Sequence, residues 1–322
     1  MSSVVQLDNI RALEILLGMD RKNIQRLAEA APQFYNQFDT RKDNKSKWRH
    51  IDNPSGELKG IQKKISDKIF SDYPFPETMF GGVKGRSISQ NAFIHVGKTL
   101  VITIDLKSCF PKTNNNQVFL AFKKYFKATP HIANLLTKLT TVRELLPQGA
   151  PTSSALANLC LLKMHNEIAQ VAHSKKLDFS MFVDDIAISG EKAREAINPV
   201  IEIIQRNGHA ISNKKKKIMP SYQRQVVTGM VVNDKLSIPN EKINATAKAI
   251  LKLTNREFIT LRQSLSVKTR IGLIKKYNPS KGVLLEKLAD KLPEVLGKGI
   301  KTIKGERRRC RNRNCLAVKK IS

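Results

Sequence analysis

Acidic side chains are scarce in this chain. Asp and Glu total 27 against 57 Lys and Arg, a formal charge of +30. Such an excess repels itself in a compact state unless a polyanion neutralises it. Nucleic acid is the partner it fits, with binding that weakens steeply as salt rises. Cysteine is scarce too. Cys109, Cys160, Cys310 and Cys315 form no disulfide framework, and Cys310 and Cys315 have no His or Cys pair nearby to complete a zinc site. A reducing cytosol is the expected setting. No apolar run is long enough to span a bilayer. The opening Met1-Ser2-Ser3-Val4-Val5-Gln6-Leu7-Asp8 lacks the basic-then-apolar layout of a secretion signal. A cytoplasmic location without a membrane partner is therefore expected. There is no internal repeat.

What remains is ample for a folded body: 322 residues, of which 41% are apolar, enough for a core and two or three lobes. Within it, apolar residues run up to Phe182-Val183-Asp184-Asp185, and an apolar-polar alternation leaves it through Ile186-Ala187-Ile188-Ser189-Gly190. This reads as strand, tight turn, strand, with both carboxylates at the hairpin tip. Adjacent carboxylates repel, and in apolar surroundings one would be pushed toward neutrality. A divalent cation supplies the missing charge. A plain polar turn is the alternative, since Asp is a common turn residue.

Other stretches fall around this hairpin. Residues 9–36 have helical spacing, and a strand follows over 47–53, leading into the turn Pro54-Ser55-Gly56. Leu58, Ile61, Ile65 and Ile69 then mark one face of a helix whose other face is basic. The glycine-rich Phe80-Gly81-Gly82-Val83-Lys84-Gly85-Arg86-Ser87 could approach phosphates through its backbone. Residues 89–95 read as a helix capped by Ser89. The β-branched run Thr99 to Ile104 ends on Asp105, a rigid base for a metal ligand. A helix over 118–126 follows. Leu145-Leu146-Pro147-Gln148-Gly149-Ala150-Pro151 is a stiff loop opening a long apolar helix capped by Thr152 or Ser153. A helix over 192–206, a basic strand through Lys214–Lys217 and a hairpin turning at Asn233-Asp234 come next. Beyond Pro239 the pattern is helical to about Leu296, with breaks near Pro279 and Pro293, and the Arg-rich tail 301–322 lacks apolar residues.

The strand ending at Asp105, the Leu-Pro-Gln-Gly-Ala-Pro loop, the Phe-Val-Asp-Asp hairpin and the Gly208-to-Lys217 strand stand in the order of a reverse transcriptase palm, and the resemblance covers roughly residues 45 to 240. Asn91-Ala92-Phe93-Ile94-His95 and Val227-Thr228-Gly229 resemble the Asn-Ala-x-x-His and Val-Thr-Gly elements of bacterial retron reverse transcriptases. The resemblance implies an α+β right-hand polymerase. It would have a helical lead-in (1–40), fingers (41–98), a ferredoxin-like palm of antiparallel sheet plus helices (99–239), a helical thumb (240–300) and a basic tail (301–322). The implied activity is RNA-directed DNA synthesis, copying part of a cognate structured noncoding RNA into single-stranded DNA. Priming from a guanosine 2′-hydroxyl would leave a branched RNA–DNA hybrid. Partners would be that RNA, its DNA product, deoxynucleotides and an effector protein in antiphage defence.

By the same resemblance Asp105, Asp184 and Asp185 would hold two Mg2+ ions, about 3.5–4 Å apart in such sites. Phe110 would exclude a ribose 2′-hydroxyl, and Gln148 and Gly149 would floor the incoming base pair. Arg49 and Lys47 would meet the triphosphate, for which guanidinium is suited. Lys215, with Lys214 its rival, would protonate the leaving pyrophosphate. Asn91 and His95 could contact template RNA or pack their helix, and Val227, Thr228 and Gly229 would lie by the primer. Phe182-Val183 replaces the usual Tyr-Ala, and Ser108-Cys109 a more usual acidic-aromatic pair. The alternatives are another bacterial reverse transcriptase, of intron-derived or abortive-infection type, and an RNA-binding scaffold that no longer polymerises.

Overall fold

A computed structural model describes residues 4–41, 48–212 and 216–295. Two compact units divide at Leu236/Ser237.

The first unit begins with α1 (Ile10–Leu17) and α2 (Arg21–Ala30), capped by Asn9 and Asp20 through their side chains. The helical lead-in expected to reach Asn36 stops earlier, because Pro32 tightens the chain into a short 3-10 turn, Ala31–Phe34. Strand β1 (Tyr35–Arg41) then pairs antiparallel with β2 (Trp48–Pro54). Helix α3 (Gly56–Ile65) buries Leu58, Ile61 and Ile65, and a wider turn (Ser66–Phe70) adds Ile69 to that apolar stripe. Helix α4 (Ile88–Phe93) is capped by Ser87, not Ser89: the Ser87 hydroxyl accepts from the Gln90 N–H, and Ser89 falls inside the first turn.

The central sheet uses β3 (Leu100–Asp105), β4 (Asp178–Phe182), β5 (Asp185–Ser189) and β6 (Lys217–Pro220) in the order β4-β5-β3-β6, every pair antiparallel. Between β3 and β4 run α5 (Cys109–Lys112), α6 (Asn115–Phe126), α7 (Pro130–Thr140) and α8 (Ser153–Ser174), and α9 (Ile197–Arg206) joins β5 to β6. This is the β-α-β-β-α-β ferredoxin-like plan with helices added. Strand alternation sorts the faces. Ile102 and Ile104 of β3 lie opposite Ile188 and Ile186 of β5, and this face joins Leu156, Leu159 and Ile168 of α8 in the main core. The other face carries Val101, Thr103 and Asp105 opposite Ser189, Ala187 and Asp185.

Helix α7 has no counterpart among the sequence expectations. Its Thr129 cap and Pro130 at the first position mark a helix start. The hairpin expected at Asn233-Asp234 turns instead at Thr228-Gly229, between β7 (Val226–Val227) and β8 (Met230–Val231). Asn233 is used otherwise: its amide donates to the Ser221 and Gln223 carbonyls and its oxygen accepts from the Gln225 N–H.

The second unit holds α10 (Asn240–Thr254), α11 (Leu261–Tyr277) and α12 (Pro279–Ala289), with the expected break at Asn278-Pro279. Ile250, Val267, Ile271, Ile274 and Leu285 form its buried side. Gly282 lets α12 press against the Lys275 backbone, where a side chain would collide. The Arg-rich tail lies outside the described residues, as do Cys310 and Cys315.

Candidate active site

Strand β3 is one of the sheet's two interior strands and ends on an acid. Its β-branched run favours the pleated, buried position, and Asp105 is only 8% exposed. In β4–β5, Phe182 pairs with Asp185, which leaves Val183-Asp184 as a two-residue turn. Val183 has φ 56°, a left-handed conformation that is a genuine outlier for a β-branched residue. Asp105 and Asp185 are direct Cα partners across β3–β5, a relation that puts Cβ atoms about 5 Å apart on one face. The Leu106 N–H donates to the Asp184 carbonyl at 2.9 Å, locking the turn to the end of β3. Asp105 and the adjacent pair Asp184-Asp185, distant from it in sequence, thus meet at one end of the sheet.

Electrostatics point the same way. Burial first, and then the charges of Asp184, Cys160 and Asp105, push the Cys109 thiol up to about 12, so it stays protonated beside the carboxylates. Among the described residues no group of three His, Cys, Asp or Glu stands together in a way that could hold a metal ion. An all-oxygen carboxylate set still suits Mg2+, which usually takes one or two carboxylates and completes its shell with water and substrate phosphate.

The loop after α7 leads into α8 and rests on β2. The Asp52 N–H of β2 donates to the Gln148 carbonyl at 2.9 Å. Gly149 has φ 119°, and a Cβ there would lie 3.1 Å from Ile51 Cγ2. Gln148 and Gly149 are therefore seated on the strand that carries Arg49, whose side chain is exposed. Asp52, 6% exposed, is held by Arg143 at 2.6 Å and faces His50 at 3.4 Å. Phe110 is half-buried against the core in α5. Lys47, Lys214 and Lys215 lie outside the described residues.

A match to the family model described as "Reverse transcriptase (RNA-dependent DNA polymerase)" runs over residues 40–254. The chain belongs to the reverse transcriptase family. The four-stranded sheet with its helices is the palm of that right-hand fold. Among curated reverse transcriptases, the chain is 29% identical over 258 residues to the retron Se72 enzyme of Salmonella heidelberg, covering 80% of this chain and 66% of that one. It is 34% identical over 210 residues to the retron Ec86 enzyme of Escherichia coli, covering 63% and 64%. A third, the retron Mx162 enzyme of Myxococcus xanthus, is 27% identical over 267 residues, covering 72% and 55%. The matched region is thus less than two thirds of each relative's own length.

The two stretches that resemble retron elements meet in this reverse transcriptase. Asn91, 1% exposed, donates to Thr228 Oγ1 at 3.2 Å. His95 is fully buried, with Nδ1 2.7 Å from Ser189 Oγ and Nε2 2.8 Å from Ser180 Oγ. Burial lowers its pKa to about 4, so the ring is neutral. Both ring nitrogens of His95 thus meet serines of the β4–β5 hairpin, and the residue packs in the core. Val227 is likewise buried, with Thr228 and Gly229 at the turn in left-handed conformations of φ 46° and 79°.

The sequence marks Gly81 and Gly82 only as part of a glycine-rich stretch whose backbone could approach phosphates, and it does not single out Asn158. Arg86 of that stretch donates to the carbonyls of Phe75, Pro76 and Met79.

Proposed function

We propose that this chain is a retron-type RNA-directed DNA polymerase. The observation that carries the reading is the pairing of Asp105 with Asp185, beside Asp184 at the turn. In that reading Asp105, Asp184 and Asp185 would hold two Mg2+ ions, whose charge would favour ionisation of the attacking hydroxyl and offset that of the triphosphate. The remaining tasks fall to other side chains. Arg49 on β2 binds the triphosphate bidentately through its guanidinium, and Lys47 adds a point charge. Gln148 and Gly149, seated on β2, floor the incoming base pair. Phe110 blocks a ribose 2′-hydroxyl and so selects deoxynucleotides. Lys215 protonates the departing pyrophosphate.

The divisions follow the same reading: fingers over 41–98, palm over 99–239, thumb over 240–300. Its substrate is a structured noncoding RNA, supported by the +30 charge and by similarity to retron enzymes. The product is a single-stranded DNA branched from a guanosine 2′-hydroxyl, and an effector protein joins the complex in antiphage defence. Among the described residues no helix is long and apolar enough to cross a membrane.

The test is to purify the protein from cells, sequence its nucleic acid and assay deoxynucleotide incorporation with Mg2+. Branched DNA joined to a short RNA is expected. Protein-linked or untemplated DNA would replace the retron assignment with another polymerase, and absence of incorporation would leave a binding scaffold.

A further inference from the structure

The segment from Phe75 to Arg86 presses on the aspartate hairpin. Met79 lies beside Met181 as a parallel bridge. The Phe80 N–H donates to the Met181 carbonyl and the Met181 N–H to the Thr78 carbonyl, both at 2.8 Å. The segment therefore extends the sheet beyond β4, just ahead of the turn. Arg86 ties it into one piece by donating to the carbonyls of Phe75 at 2.9 Å, Met79 at 2.6 Å and Pro76. An arginine bound to three carbonyls of its own loop braces that loop and does not read an external phosphate.

Two glycines within it, Gly81 and Gly82, are wedged on both sides. A Cβ on Gly81 would lie 2.6 Å from Val183 Cγ2, 2.9 Å from Phe182 Cδ1 and 3.0 Å from the Val183 nitrogen. A Cβ on Gly82, at φ 74°, would collide with Ser154 and stand 2.9 Å from its carbonyl carbon. From α8, the fully buried Asn158 donates its amide to the Gly81 carbonyl at 2.5 Å. On the far side of this contact sits Val183, 6% exposed and left-handed. A β-branched residue keeps such a backbone only where its surroundings over-determine it. The surroundings here are Gly81, its Asn158 partner and the braced segment behind them. The next residues along the chain are Asp184 and Asp185.

We propose that Thr78–Gly82 is a bracket that sets the tip of the aspartate hairpin, with Gly81 and Asn158 as positioning residues for Asp184 and Asp185. Gly81 admits the close approach, Asn158 fixes the height of its carbonyl, and Arg86 keeps the bracket rigid. This rests on the reading of the carboxylates as the metal-holding groups of a polymerase. The bracket's part is positional. It acts on the turn, and a displacement of about 1 Å at a reacting site can cost on the order of 100-fold in rate.

The experiment compares wild type, Gly81→Ala, Asn158→Ala, Val183→Gly and the double variant Gly81→Ala/Val183→Gly, with Asp185→Asn alongside. For each, kcat, the KM for deoxynucleotide and the Mg2+ concentration for half-maximal rate are measured on a primed RNA template, with a melting curve. Gly81→Ala is expected to lower kcat by on the order of 10- to 100-fold and to raise the Mg2+ midpoint, with deoxynucleotide KM nearly constant. Asn158→Ala moves the same two quantities less. Val183→Gly removes the side chain that the new Cβ meets and accepts the left-handed backbone, so the double variant recovers part of the loss. Wild-type kcat and Mg2+ midpoint in folded Gly81→Ala or Asn158→Ala would overturn the bracket. So would a loss that only tracks the unfolded fraction, or single effects that simply multiply in the double variant. Should Gly81→Ala fail to fold, Asn158→Ala decides by the same readings. Full activity in Asp185→Asn would instead overturn the assignment of the carboxylates.

Discussion

Asn91 on α4 donates to the hydroxyl of Thr228, 137 residues later, at the left-handed β7–β8 turn. A two-residue turn of this kind favours Asn-Gly, because both central residues need positive φ. Thr228 is β-branched and ill-suited to it, and its hydroxyl also reaches the Ile88 carbonyl at 3.5 Å. Helix α4 thus pins the turn. A double-mutant cycle with Asn91→Ala and Thr228→Ala, read by urea unfolding, is expected to give a coupling of about 1 kcal/mol. Additive effects would mean that the contact contributes nothing.

One helical turn further on, His95 links Ser180 on β4 to Ser189 on β5. Its folded pKa of about 4 lies below the ordinary value of 6.5, so the unfolded chain takes up the proton first. The stability held by the neutral ring is present in full above about pH 6.5 and is lost as the pH falls toward 4. From about pH 7 to pH 5 the loss attributable to His95 is about 2 kcal/mol. Burial lowers the pKa of His165 and His209 as well, adding loss of the same sign. Urea melts across this range, for wild type and His95→Gln, are expected to show a shallower acid slope in the variant. Equal slopes would contradict the buried neutral ring.

Gly149 combines φ 119° with close contact to Ile51. That backbone region is nearly closed to other residues, at a cost of about 1–3 kcal/mol. Gly149→Ala is therefore expected to destabilise by about that amount and to shift Gln148 on β2. A raised deoxynucleotide KM with a smaller change in kcat is the kinetic expectation. Unchanged melting and KM would show that the loop tolerates a side chain.

Much of this was legible in the chain because strand patterns are local. The run from Thr99 to Ile104 announced a buried strand with Asp105 at its end, and the apolar residues flanking Asp184-Asp185 announced a hairpin. Their convergence was expected only from the order of motifs, and the strand register supplied it. What stayed hidden depends on partners distant in sequence. Asn233-Asp234 is a stronger turn signal than Thr228-Gly229, yet Asn233 spends its amide on Ser221 and Gln223. Nothing in Gly81-Gly82 reveals that Val183 and Ser154 will crowd it. His95 looked equally suited to contact RNA or to pack, and only Ser180 and Ser189, some ninety residues away, assign it to the core.

Asp105 and Asp185 face each other across β3 and β5, and the proposed activity requires both as ligands for the ions of nucleotidyl transfer. The direct measurement is single-nucleotide extension of a primed RNA template under Mg2+ titration, with wild type, Asp105→Asn and Asp185→Asn checked for equal melting. The expected result is a fall of on the order of 100-fold or more in each folded variant, with no recovery of the wild-type Mg2+ response. Extension at the wild-type rate by either variant would contradict it.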